Sequence, residues 1–190
     1  MFKKFYNDYN DEIEILNNNY INEVKNLFAD EPIAIFDDSD IAKRYGKKFE
    51  DLDNVLDASS LKKEIVPGYH VCEAIVLTKN EKQPISLYSE IYSCKSKGFI
   101  SMNKYTNESI ETVRNILKRK CNMIFDRGYD DNKIYQYMSK KQHQFIVRLD
   151  DERTLLFKGK KRRVDEIAKT RKGKIKMTAL FDDNEEKELM

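Results

Sequence analysis

The chain has 190 residues and a net charge of only +2 at pH 7, a length that suits one domain with a proper core. Apolar residues make up 40% and charged residues 36%, the balance of a polar globular protein and not of a disordered one. No apolar run approaches the roughly 20 residues of a membrane span, and polar residues follow Met1-Phe2-Lys3-Lys4 where a signal peptide would have its apolar core. The expectation is a soluble, cytoplasmic protein with no membrane partner.

Ile13, Leu16, Tyr20, Val24 and Leu27 recur in steps of three and four, which predicts a helix over about residues 10–29 with one apolar face. It is either a linker from a preceding domain or a cover for a sheet. Pro32-Ile33-Ala34-Ile35-Phe36 is too short for a helix and runs into Asp37, Asp38 and Asp40. The run reads as a strand over about 32–38, buried on both faces. Charge is costly inside such a strand, so the acids are expected at its carboxyl end, where the chain leaves the sheet. Residues 43–67 are charged, lack periodicity and read as a long loop.

Tyr69 to Thr78 is rich in strand formers, and Ile85 to Tyr92 alternates apolar with polar. The turn Lys79-Asn80-Glu81-Lys82 makes them antiparallel neighbours. A helix capped near Thr106 or Asn107 carries Ile110, Val113 and Leu117 on one face, with Lys118, Arg119 and Lys120 in its last turn. Met123 to Asp126 is a fourth strand. A helix capped around Asp130 to Asn132, with Ile134, Tyr137 and Met138 facing inward, leads to a fifth strand, Gln144 to Leu149. Beyond Asp150 the chain is basic and then acidic, with little to pack a core.

The order β-β-β-α-β-α-β is the layout of an α/β, ribonuclease-H-like mixed sheet, in which strand one lies beside strand four. Asp37 and Asp126 would then meet, and two carboxylates with a third acid can hold two Mg²⁺ (or Mn²⁺) ions roughly 3.5–4 Å apart for phosphodiester chemistry. Both acids equally suit turns, where Asp satisfies backbone groups. Alternation sets Asp38 on the opposite face from Asp37; continuity with the buried strand favours Asp37 over Asp40. Cys72, Cys94 and Cys121 are odd in number, form no C-x-x-C pair and read as reduced thiols with no zinc site. His70 and His143 fit no metal spacing and read as structural or exposed. The basic residues of 153–176, among them Lys158, Lys160, Lys161, Arg162, Arg163, Arg171, Lys172, Lys174 and Lys176, either follow a phosphate backbone or form a solvated tail.

Ile33-Ala34-Ile35-Phe36-Asp37-Asp38-Ser39-Asp40-Ile41-Ala42-Lys43 resembles the first acidic motif of DDE-type insertion-sequence transposases, a strand ending in Asp with Ser two residues later. Phe125-Asp126-Arg127-Gly128-Tyr129-Asp130 resembles their second motif, and the strands at Gly68-Tyr69-His70, Pro84 to Tyr92 and Phe145-Ile146-Val147-Arg148 fit between and after. The resemblance covers about residues 32–150. It implies a helix or linker at 1–30, a partial ribonuclease-H-like catalytic core at 31–150, and at 151–190 the start of a β-rich insertion. Asp37 and Asp126 would be the first two metal-binding, catalytic acids, with Ser39 and Arg127 as motif neighbours. Lys43, Arg127 and Arg148 would join the basic segment in binding DNA. The family cuts and joins DNA at mobile-element ends with an Mg²⁺ pair. Its third acid, a Glu on a downstream helix, has no counterpart after Asp150, since Glu185, Glu186 and Glu188 lack the accompanying Tyr and Arg. The expectation is a sheet incomplete at its C-terminus: a transposase interrupted before its third acid, inactive alone, with DNA and full-length transposase as partners. The alternative is a non-catalytic fragment that binds through the basic stretch.

Overall fold

The structure, a computed structural model, describes residues 10–57, 59–80, 82–170, 177–182 and 185–189. They fall into two units, one up to residue 122 and one from 123 onward. The chain is of the α/β class, and among the described residues no helix is long and apolar enough to cross a membrane.

In the first unit, helix α1 (Asn10–Val24) and a 3-10 turn (Lys25–Leu27) precede four strands, β1 (Ile33–Ala42), β2 (Asp53–Leu56), β3 (Ile65–Leu77) and β4 (Pro84–Tyr92), and then helix α2 (Met102–Leu117). β3 pairs antiparallel with the other three. Its register with β1 runs from Ala34 opposite Val76 to Ala42 opposite Gly68. The β3–β4 hairpin forms as its alternating sequence predicts, from Leu77 opposite Pro84 to His70 opposite Tyr92. Residues 121 and 122 run beside the start of β1, where the Asn122 N–H donates to the Pro32 carbonyl at 2.9 Å.

Strand periodicity puts Ala34 and Phe36 of β1 on one face with Cys72, Ala74 and Val76 of β3, all at most 1% exposed. Helix α2, packed on β3 and β4, buries Ile110, Val113 and Leu117. Each large apolar side chain so covered contributes about 1.5–3 kcal/mol. Ser101 caps the helix by accepting from the Lys104 N–H at 3.2 Å, so it opens earlier than Thr106. Lys118 closes it in the left-handed region (φ 51), which leaves Lys118-Arg119-Lys120 beyond the last turn.

Three expectations for this unit change. β1 does not stop near residue 38 but continues through Ser39 and Asp40 to Ala42, because backbone pairing with β3 carries the chain past the point where burial ends. Residues 43–67 are not one long loop. They contain β2, held where Gly68 lets three strands converge: a Cβ there would lie 2.3 Å from both the Ile41 carbonyl oxygen and Val55 Cγ2. Arg44 bridges Asp57 (2.6 Å) and Glu64 (2.8 Å) across the same region. Among the described side chains of α1, those that cover the sheet lie toward its end. Val24 and Phe28 are buried and the Tyr20 hydroxyl donates to the Ser86 carbonyl at 3.0 Å, whereas Ile15 and Leu16 are exposed.

The second unit takes over within β5 (Asn122–Phe125), a neighbour of β6 (Gln144–Val147), with helix α3 (Asn132–Lys140) between them. The α3 cap is Asp131, and its buried residues are Ile134, Tyr135 and Met138, so Tyr135 takes the place expected of Tyr137. The basic segment is folded rather than a loose tail. β7 (Thr154–Phe157) and β8 (Lys160–Arg163) form a hairpin whose two turn residues, Lys158 (φ 52) and Gly159 (φ 72), both take positive φ, as a tight two-residue turn requires. Helix α4 (Val164–Thr170), β9 (Met177–Asp182) and β10 (Glu185–Leu189) follow, in a sheet ordered β10-β9-β7-β8. Glu185 to Glu188 lie on β10. The small core that holds the hairpin is Tyr135, Leu155 and Ile167, flanked by Phe145, Phe157 and Val164.

Asp130 fastens this unit. It accepts from the Tyr135 hydroxyl (2.7 Å), the Asp150 N–H (2.6 Å) and Arg153 (2.5 Å). The Arg153 guanidinium also lies 4.9 Å from the Tyr135 ring centroid. Two outcomes are expected in denaturant unfolding. Leu155→Ala, at a position 0% exposed, costs about 2–5 kcal/mol. Arg153→Met leaves Asp130 buried without its cation and costs about 3–5 kcal/mol.

Candidate functional site

Once β1 continues through its acids, pairing decides which way each one points. Asp37 stands opposite Glu73, Asp38 opposite Cys72 and Asp40 opposite His70. Alternation therefore sets Asp37 and Glu73 on one face and Asp38, Asp40, Cys72 and His70 on the other. Asp37, Asp38 and Asp40 all lie beyond the buried half of the strand. Asp37 and Glu73 thus set two hard oxygen donors side by side across the ladder.

On the α2 side, Cys72 sits between Asp38 of β1 and Glu90 of β4. Burial, then the neighbouring Asp38 carboxylate, pushes the Cys72 thiol up, so this cysteine is an inert, protonated core residue. Glu90 is also raised, by burial first and then by Glu108 of α2.

One strand residue further, a polar cluster gathers around His70. Its Nδ1 lies 2.7 Å from Asp40 Oδ1, and its Nε2 lies 3.6 Å from Asp53 Oδ2. The same Asp53 oxygen accepts the Cys94 N–H at 2.8 Å, and Asp53 Oδ1 accepts from Asn54 at 2.7 Å. Asp40 Oδ2 accepts the Leu56 N–H at 3.0 Å, which ties the acid of β1 to β2. Tyr92 roofs the imidazole at 5.4 Å between ring centroids and stacks in turn on Tyr105 of α2 at 4.1 Å. Donor atoms of Asp53, His70 and Cys94 all lie within 4.8 Å of one another, the spacing of a possible metal-binding triad. Burial followed by the Asp53 contact raises the Cys94 thiol.

The three cysteines are free thiols, as expected, and His70, half-buried and bonded to Asp40, fills the structural role open to it from sequence. Beyond either expectation, His70 and Cys94 also stand with Asp53 in a possible metal-ligand group. Sequence spacing carried no signal for it, because Asp53, His70 and Cys94 come from three separate segments that only the sheet register unites. Asp40, one of the competing acids, is committed to His70 and to β2. Among the described residues of the first unit no third donor groups with Asp37.

In the second unit Asp126 is exposed at the end of β5, and its Oδ1 accepts the Gly128 N–H at 2.8 Å, which is the turn role open to it from sequence. Arg127 pairs with Asp151 at 3.6 Å, and Arg148 is exposed beside β6. Lys43, in the first unit, is exposed at the end of β1. Lys158, Lys160, Lys161, Arg162 and Arg163 are all exposed on the β7–β8 hairpin. Arg163 engages Asp165 (3.1 Å) and Glu152 (3.4 Å), and Lys158 lies 5.7 Å from the Phe157 ring centroid. Phe157, Lys158, Lys160, Arg162 and Thr170 line a depression of about 380 Å³. Arg171, Lys172, Lys174 and Lys176 lie outside the described residues.

The raised Glu90 sets a pH expectation. Its folded state holds the proton to higher pH than the unfolded chain does, so stability falls as pH rises above the ordinary value of 4.5. Glu90→Gln removes that penalty. Thermal unfolding is expected to show a higher Tm for the variant at pH 7, with the advantage shrinking to nothing once the pH drops below 4.5. No protein-family model matches the chain and no curated protein matches it, so the functional reading rests on motifs and geometry alone.

Proposed function

We propose that the chain is the catalytic-core portion of a DDE-type insertion-sequence transposase, a DNA-binding protein of ribonuclease-H-like fold. The observation that carries this reading is the position of its two motif acids: Asp37, exposed on a strand of a three-strand antiparallel set (β1, β3 and β4), and Asp126, exposed directly after β5. The element order around them, with α2 before β5 and α3 before β6, is the one the family resemblance calls for once β2 is counted as an addition.

The donor chemistry agrees with hard divalent cations. Asp37 and its neighbour Glu73 offer carboxylate oxygens, which Mg²⁺ and Mn²⁺ prefer over nitrogen or sulfur. A metal at such carboxylates would polarise a phosphodiester and neutralise developing charge. The resemblance carries over two of the three acids, so strand cleavage by this chain is expected to be weak or nil.

Lys158, Lys160, Lys161, Arg162 and Arg163, with Arg127, Arg148 and Lys43, would meet the DNA backbone, where such side chains give affinity without choosing a sequence. The hairpin's row of exposed cations also favours the second reading, a non-catalytic fragment that binds DNA or full-length transposase through β7 and β8.

Two measurements separate the readings. DNA binding to a plain duplex should weaken with salt, and Lys160→Gln/Lys161→Gln/Arg162→Gln should lower the log–log salt slope by about 3; an unchanged slope would overturn the hairpin as the DNA contact. Mn²⁺ should broaden amide resonances around Asp37, and Asp37→Ala should cut Mn²⁺ affinity at least about tenfold, as loss of even an outer-shell partner can. Broadening that survives Asp37→Ala leaves only the binding fragment.

A further inference from the structure

We propose that Asp53, His70 and Cys94 form a zinc site, with Asp40 as the outer partner that orients His70. The site does not depend on the DNA reading and uses none of the residues that reading assigns.

The distances around His70 point to a metal. Its Nδ1 is 2.7 Å from Asp40 Oδ1, a normal hydrogen bond that holds the proton on Nδ1 and leaves the Nε2 lone pair facing the cluster. The Nε2 to Asp53 Oδ2 separation is 3.6 Å, too long for a hydrogen bond. Ligands about 2.0–2.2 Å from a tetrahedral zinc stand about 3.3–3.5 Å apart, and a thiolate at about 2.3 Å stands slightly farther from each. All three donors here lie within 4.8 Å of one another, so small side-chain adjustments bring them to that geometry. A carboxylate on the far nitrogen of a ligating histidine is the usual outer partner of such sites.

The ligands come ready positioned. Asp53 opens β2 opposite Gly68, and His70 lies two residues on, so strand periodicity keeps them on one side. Cys94 follows β4 in a tight turn, where Ser93 Oγ accepts the Lys95 N–H at 3.0 Å and the Ser93 carbonyl accepts from the Ser96 hydroxyl at 3.0 Å. Lys95 Nζ reaches the Leu52 carbonyl at 2.7 Å and draws this turn against β2. Sulfur, imidazole and carboxylate together select a borderline-soft ion such as Zn²⁺ over Mg²⁺ or Ca²⁺. Cys94 is exposed, so the fourth position opens to solvent and takes water. Binding releases the thiol proton to solvent, and the ion clamps β2 to the β3–β4 hairpin without any redox step.

The test uses the full chain, reduced, with Zn²⁺ followed by calorimetry and Co²⁺ by visible absorption. One equivalent of Co²⁺ should give tetrahedral d–d bands with a thiolate-to-cobalt charge-transfer band, and Zn²⁺ should displace it. Cys94→Ser, an exposed position, should abolish the charge-transfer band and weaken Zn²⁺ at least about tenfold, while Cys121→Ser keeps both. Asp40→Asn should weaken Zn²⁺ by about 10–100-fold, with circular dichroism checking that each variant remains folded. Two results would overturn the proposal: no saturable Zn²⁺ binding by the wild-type chain, or binding that Cys94→Ser leaves unchanged.

Discussion

The pairing of β3 along both its edges is the constraint on which the first unit depends. A 13-residue strand that meets β1, β2 and β4 fixes by register alone which acids face α2 and which face away. Gly68 is the narrow point of that arrangement. Any side chain there would drive Ile41 and Val55 apart, and β2 would lose its seat. Because β2 delivers Asp53 and the same convergence sets His70 beside Asp40, the polar cluster follows from a backbone fact rather than from any local motif.

The same register separates two kinds of carboxylate chemistry within four residues of β1. Asp37 stands beside Glu73 on one face, whereas Asp40 on the other is spent on an imidazole and a backbone amide. Under the two proposals above, a hard metal at Asp37 and a borderline one at the His70 cluster would meet opposite faces of one strand. Asp38 belongs to neither role. It lies against a buried thiol under α2, where it contributes to a polar seam with Glu90.

In the second unit, the turn after β5 and the basic hairpin are one mechanical piece. Asp126 shapes the turn, Asp130 collects Tyr135, Asp150 and Arg153, and Arg153 stands at the entry to β7. Cations on β8 are therefore displayed on a packed element rather than on a coil, which lowers the ordering cost of any phosphate contact they make.

The sequence by itself determined the elements whose period is regular: β4 from its alternation, the inner face of α2 from Ile110, Val113 and Leu117, and the two acidic strands from their apolar runs. The rest was decided by tertiary structure, for reasons that are physical. β1 outlasts its apolar half because ladder pairing does not require burial. β2 has only four residues, one of them buried, too few for any period to register. The hairpin of β7 and β8 borrows its core from Tyr135 and Ile167, so its own basic sequence looked unable to pack. His70, Asp53 and Cys94 lie far apart along the chain, and only strand register, which no local pattern encodes, brings their donor atoms together.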